Sequence, residues 1–191
     1  MKKRRSGKTK IIAAIVLLVL VAAFVAGGKL WVNSRNDSRR KADRVIAEMK
    51  RVIPELGTTT EPSGSPGRDP LPALDVDRID IVGCIEIPIL DLLAPVTAKG
   101  YDNEFFITYV KGSPVKGHLR LNGGRSDVFK QLTKANPGDK VVFTDVDGVR
   151  YVYTVTTQYH LKDWAKSDND LLLTYEVDDK TDFVLGCDFE E

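Results

Sequence analysis

Eighteen consecutive uncharged residues, IIAAIVLLVLVAAFVAGG at 11–28, constrain this chain more than any other stretch. As a helix rising about 1.5 Å per residue, the run covers roughly 27 Å, close to the roughly 30 Å hydrocarbon core of a bilayer. Six cations precede it (Lys2, Lys3, Arg4, Arg5, Lys8 and Lys10) and Trp31 follows it, where an interfacial aromatic belongs. The rival reading is a cleaved signal peptide. However, the run exceeds the usual apolar region of about 7–15 residues, and Phe24 and Val25 make a poor cleavage site. The sequence therefore predicts a basic cytoplasmic tail over 1–10, an uncleaved single-pass anchor over 11–32 and an extracellular body.

The net charge of +1 hides an uneven split. Residues 1–75 carry 15 Lys/Arg against 7 Asp/Glu, and the remainder carries 13 against 20. An acidic body lacks the basic face that nucleic acid requires, so no nucleic-acid partner is expected. After the anchor, Ala42, Val45, Ile46, Met49, Val52 and Ile53 recur at helical spacing. They predict a juxtamembrane amphipathic helix over 37–56, with Asp37 as N-cap and Pro54 at its end. The stretch GTTTEPSGSPGRDPLPA, 57–73, has almost nothing to bury and reads as a flexible linker.

From Leu74 the texture changes to strands. Ile79, Ile81, Gly83, Ile85 and Ile87 share one face, and Pro88 closes the run. APVTA at 94–98, EFFITYV at 104–110 and HLRLNGG at 118–124 follow. A short helix at 126–135 is capped by Ser126 or Asp127. Next comes a hairpin through Asp147-Gly148, the strongest short-range hairpin signal in the chain, whose second arm runs on to Trp164. DLLLTYEVDDKTDFVLGC at 170–187 supplies two more strands around an acidic turn. The fold class is mainly β: a closed barrel of seven to eight strands with one or two short helices over 74–191, behind a transmembrane helix.

Three of these stretches resemble the sortases, the membrane-anchored cysteine transpeptidases of Gram-positive bacteria, in a class B or class D flavour. IVGCIEIPILDLLAPV at 81–96 is similar to the family's first strand, where Ile-x-Ile-Pro precedes a Pro-Val. VFKQLTKANPGDKVVFTDVDGVRYVYTV at 128–155 resembles its central segment. LLLTYEVDDKTDFVLGC at 171–187 sits where the family places a cysteine strand and then an arginine strand. The resemblance implies a sortase-like barrel, no cofactor, and attachment of surface proteins to cell wall or pili. The implied chemistry has a thiolate attacking a peptide carbonyl, a histidine moving protons for the amines, and an arginine stabilising the oxyanion.

Each group can be sought in the sequence. The cysteine position falls on Tyr175, or on Leu173 in a second register, and no cysteine lies between Cys84 and Cys187. A phenol with a pKa near 10 is about one part in a thousand ionised at pH 7 and makes a poor substitute. The arginine position falls on Asp182, Phe183 or Gly186, and no arginine follows Arg150. The histidine position falls among residues 122–125, which include no histidine, or on His118 of KGHLR, which begins a strand where the family's histidine ends one. Cys187, beside Asp188, Glu190 and Glu191, has the wrong electrostatic setting for a relocated nucleophile. His160 reads as a surface residue.

The resemblance thus points to a catalytically degenerate homologue that binds sorting-signal-like peptides or assists an active sortase. The alternatives are a transpeptidase with atypical residues, for which His118 and Cys187 are the candidates, and a non-catalytic surface interaction domain. Two further sets have open readings. Asp168, Asp170, Glu176, Asp178, Asp179 and Asp182 are solvated turn carboxylates or calcium ligands. Tyr151, Tyr153 and Tyr159 alternate along one strand, as barrel packing or as a peptide surface. Cys84 and Cys187 are isolated thiols or one disulfide.

Overall fold

The computed structural model of this chain describes residues 7–54, 56–57, 62, 67–161 and 168–190. The chain divides into two compact units, Met1–Arg40 and Lys41–Glu191. A single α-helix, α1 (Gly7–Val52), runs from the first into the second. The expected break between anchor and amphipathic helix does not occur, so Asp37 lies inside the helix instead of capping one. The physical reason is that no proline interrupts residues 7–52, and Gly27 and Gly28 each cost a helix only about 1 kcal/mol. The helix stops where Pro54 disfavours helical geometry at Ile53, whose N–H makes a last bond to the Met49 carbonyl at 2.7 Å.

In the first unit, the apolar side chains of α1 from Ile15 to Val32 are exposed, which distinguishes the segment from a buried core helix. It is long and apolar enough to cross a membrane. In the second unit, Ala42, Val45, Met49 and Ile53 are buried along one face of α1 against Val76, Ile79, Ile81, Cys84 and Phe106. Val52 points to solvent, so the apolar stripe is narrower than the sequence pattern suggested.

Nine strands follow: β1 (Leu74–Val76), β2 (Ile79–Ile87), β3 (Leu92–Thr97), β4 (Ile107–Ser113), β5 (Gly117–Asn122), β6 (Lys140–Asp145), β7 (Arg150–Leu161), β8 (Leu171–Asp178) and β9 (Thr181–Phe189). Their order is β1-β2-β3-β4-β5-β8-β9-β7-β6, and β6 pairs back to β2. Eight strands thus close into a ring, with β1 as an appendage on β2. The pairs β3–β4 and β5–β8 are parallel and the rest antiparallel. The core fills the ring with inward residues such as Ile85, Leu121, Phe129, Phe143, Tyr153, Leu173 and Leu185.

Local departures from expectation have local causes. The segment 104–106 is not strand: Asn103 turns the chain by accepting a bond from the Phe105 N–H, and β4 begins only at Ile107. The expected helix at 126–135 is 3-10, Phe129–Lys134, with no side-chain cap. Ser126 instead opens the turn before it, accepting from the Val128 N–H and donating to the Glu104 carbonyl at 2.7 Å. The hairpin at Asp147-Gly148 closes on the Asp145 carboxylate, which accepts from the Asp147 and Val149 N–H groups, both at 2.9 Å. The end of the expected linker is tied to the barrel by Arg68, whose guanidinium donates to both Asp147 oxygens at 2.5 and 2.6 Å. Most of 57–66, and the expected strand extension from 162 to Trp164, lie outside the described residues.

Candidate functional site

The parallel pair β5–β8 delivers two strand ends to the same rim of the barrel. Leu121 pairs Leu173 and Asn122 pairs Thr174. The ladder then continues past β5: the Gly123 N–H donates to the Thr174 carbonyl at 2.8 Å, and the Glu176 N–H to the Gly124 carbonyl at 3.0 Å. On the other side, β9 sets Phe183 opposite Tyr175 and Asp182 opposite Glu176. The segment 122–125 expected to hold the histidine thus meets Tyr175, with Asp182 and Phe183 of the three arginine candidates on its far side.

The pleat decides where each side chain goes. Leu171, Leu173 and Tyr175 belong to the interior cluster, and Tyr175 is 8% exposed. Its ring packs on Phe183 with centroids 6.0 Å apart, and Phe183 packs edge-on against His160 at 5.4 Å. Both registers considered for the cysteine, Tyr175 and Leu173, thus point into the barrel. The alternate residue, Thr174, belongs to the opposite face, is buried, and donates its hydroxyl to the Leu121 carbonyl at 3.3 Å.

The electrostatics oppose oxyanion chemistry. Burial pushes the Asp182 carboxyl above its ordinary value, and the nearby Glu176 and Asp178 charges push it further. A developing oxyanion would meet carboxylates where it needs donors. The Arg125 guanidinium at this rim is turned to Asp179 at 2.6 Å. Phe183 is interior. Gly186 lies opposite Leu172, three pairs away from Tyr175, or about 10 Å along the strands. A side chain there would strike Thr157 Oγ1 at 2.3 Å and Asn169 Oδ1 at 2.4 Å.

His118 and Cys187 occupy the opposite rim. His118 begins β5 with φ of +60° and is exposed, its Nδ1 3.3 Å from Arg120 Nη2. Cys187 pairs with Leu171, and Leu171 with Leu119, so two strand spacings, about 10 Å, separate the β5 and β9 backbones. Cys187 has no exposed surface and faces the interior, and burial pushes its thiol well above the ordinary range. The structure does not bring the two side chains together. Cys84 lies outside the ring beneath α1, its Sγ 3.2 Å from Met49 Sδ. The barrel wall stands between the cysteines, and both are free.

Three residues shape the two rims, and only Arg120 was passed over in the sequence; His160 is exposed, as expected. His160 reaches the Tyr175 rim because a bulge between Val155 and Thr157 reverses the alternation of β7. Tyr151 and Tyr153, before the bulge, belong to the interior cluster, and the shift leaves Tyr159 out of it. Arg120, 4% exposed, donates from Nη1 to the carbonyls of Leu119 and Asn169 at 3.1 and 3.0 Å. Gly124 has φ of +61° with open space above it. It edges a hollow of about 440 Å³ whose lining includes Tyr101, Thr108, Val110, Asn122 and Glu176. An adjoining hollow of about 420 Å³ is lined by Arg125, Lys180 and the carboxylates of Glu176, Asp178, Asp179 and Asp182.

The six-carboxylate set splits between two places. Asp168 and Asp170 precede β8, where Asp170 accepts from the Phe189 N–H at 2.9 Å, and the rest cluster at its other end, Glu176 and Asp178 within β8, Asp179 in the turn and Asp182 on β9. Among the described residues, no three His, Cys, Asp or Glu side chains are grouped to hold a metal ion.

A family model for the sortase domain matches residues 85–181, about half of the chain. Among solved structures, the chain is similar to the lid mutant of sortase A from Corynebacterium diphtheriae, at 18% identity over 77% of this chain and 94% of that one, with a TM-score of 0.51. It is also similar to sortase C from Clostridium perfringens SM101, at 16% identity over 83% and 99%, with a TM-score of 0.50. At such identities the likeness is one of fold. No curated protein matches the chain.

Proposed function

This chain belongs to the sortase family, and we propose that it is a membrane-anchored, extracellular member without transpeptidase chemistry, which binds sorting-signal-like peptides in the service of an active sortase. One observation carries the reading. The strand ends that meet at the β5–β8–β9 rim bear Gly124, an inward Tyr175 and Asp182, so among the described residues the rim presents no thiol, its histidine, His160, packs on Phe183, and its guanidinium, Arg125, is paired with Asp179. The barrel and the hollow beside Gly124 remain, which favours binding without cleavage.

The test is incubation of the full chain in detergent micelles with sorting-signal peptides and a free amine, followed by intact mass. No acyl adduct is expected. An adduct that disappears in Cys187→Ala would overturn the reading in favour of an atypical transpeptidase. Titration of the same peptides by NMR should shift resonances of residues 100–110 and 122–126. Saturating peptide without any shift would leave a scaffold with no peptide specificity.

A further inference from the structure

The first unit carries a charged stripe that the barrel does not explain. Trp31, Arg35 and Arg39 follow one another at i, i+4 and i+8 along α1, on one side of the helix. The Arg35 guanidinium lies over the Trp31 ring, 5.5 Å from its centroid. Arg39 and its neighbour Arg40 are exposed and make no ion pair or hydrogen bond among the described residues. Lys29 adds a fourth cation, and Asp37 is the only acidic residue between 29 and 40.

Position along the helix gives these charges a partner. At about 1.5 Å per residue, Arg35 stands roughly 6 Å and Arg39 roughly 12 Å beyond Trp31. The headgroup layer beyond the hydrocarbon core is about 5–8 Å thick on each side. Helical side chains lean toward the helix N-terminus, here toward the apolar run, so the long arginine stems shorten the remaining gap. The guanidinium fork matches a phosphate oxygen pair, and the aromatic ring beneath Arg35 fixes one fork in place. The Debye length of about 8 Å at physiological salt keeps such charges within reach of a lipid phosphate.

We propose that Trp31, Arg35, Arg39 and Arg40 form a headgroup-binding collar that holds anionic phospholipid at the C-terminal end of the membrane span. The inference rests on the anchor reading above. The collar selects lipid by charge, whereas insertion depends on the apolar run alone.

The test uses the full chain in nanodiscs of equal phosphatidylglycerol and phosphatidylcholine, released into mild detergent and examined by native mass spectrometry for retained lipid. Wild type should retain phosphatidylglycerol in excess. The double variant Arg39→Gln, Arg40→Gln should lose roughly fivefold of that preference per arginine removed, at about 1 kcal/mol per charge near the surface. Equal retention of the two lipids by wild type, or an undiminished preference in the variant, overturns the collar. Co-flotation with pure phosphatidylcholine vesicles keeps the readings separable. A chain that floats without lipid preference has an anchor and no collar, and a chain that does not float overturns both.

Discussion

Tyr175 and Phe183 stand opposite each other across β8 and β9, with ring centroids 6.0 Å apart inside the barrel. A position expected to hold a nucleophile thus holds part of an aromatic core. Restoring one functional group does not restore a site, because the strand's pleat aims that side chain away from any ligand outside the barrel.

Tyr175→Cys should therefore give no transpeptidase. The new thiol would be buried beside Phe183, with its pKa raised by desolvation. Removing most of a buried ring should cost about 3 kcal/mol, the range for large-to-small aromatic changes. Urea unfolding reports the cost, and thiol labelling of the folded chain reports the burial. Fast labelling at position 175 together with acyl transfer would refute the inward orientation.

Two glycines should respond differently to alanine. At Gly186 a Cβ meets Thr157 Oγ1 and Asn169 Oδ1, both nearer than 2.5 Å, in a network where Asn169 also donates to Thr156 and Asp188. Gly186→Ala should cost about 2 kcal/mol through overpacking. At Gly124 the space is open and only the left-handed backbone resists, for about 1 kcal/mol. Thermal melts of the two variants should rank in that order, and Gly124→Asn, better tolerated at positive φ, should cost less than Gly124→Ala.

Asp182→Asn should stabilise the protein at neutral pH. Burial, with Glu176 and Asp178, raises the carboxyl above its unfolded value of about 3.9. The folded chain thus holds this proton more tightly than the unfolded chain, and ionising Asp182 costs stability. That cost is absent well below pH 4, develops as pH rises through the folded pKa, and is complete above it. The variant should melt higher than wild type at pH 7 and the same at pH 3. Equal melting at both values would show that Asp182 is well solvated.

Both cysteines should be silent in the folded state. Burial raises each thiol, and the wall of the barrel prevents a disulfide between them. Titration with a thiol reagent should find no reactive sulfur until denaturant is added, and then two. One fast thiol in the native protein would contradict the interior placement of Cys187.

Much of the fold was legible because strands declare themselves by alternation. The Asp-Gly turn before β7 lies where the pattern puts it. The isoleucines of β2 do not share one face as expected: Ile79 and Ile81 pack under α1 and Ile85 and Ile87 in the barrel, because the register shifts between Ile81 and Gly83. The helix at 126–135 was misread because 3-10 geometry leaves no separate signature in so short an amphipathic run. His160 is exposed, as its sequence setting suggests, but its contact with Phe183 was illegible for a different reason. The bulge between Val155 and Thr157 shifts the period of β7 by one residue, and nothing in VTTQYH announces it. Arg120 reads as the polar half of an alternating strand, and its burial depends on Asn169, 49 residues later.

The sequence by itself determined the chemical inventory: two cysteines, two histidines, no arginine after 150, and an uncharged run long enough for a bilayer. No folding can supply a group the chain lacks. The tertiary structure alone decided the placement of what remains. It turned Tyr175 inward, set His118 and Cys187 at the rim away from Tyr175 and on opposite sides of the wall, and brought His160 to Phe183. Facing and proximity in a barrel follow from strand register, and register is set by pairings between residues far apart in the chain.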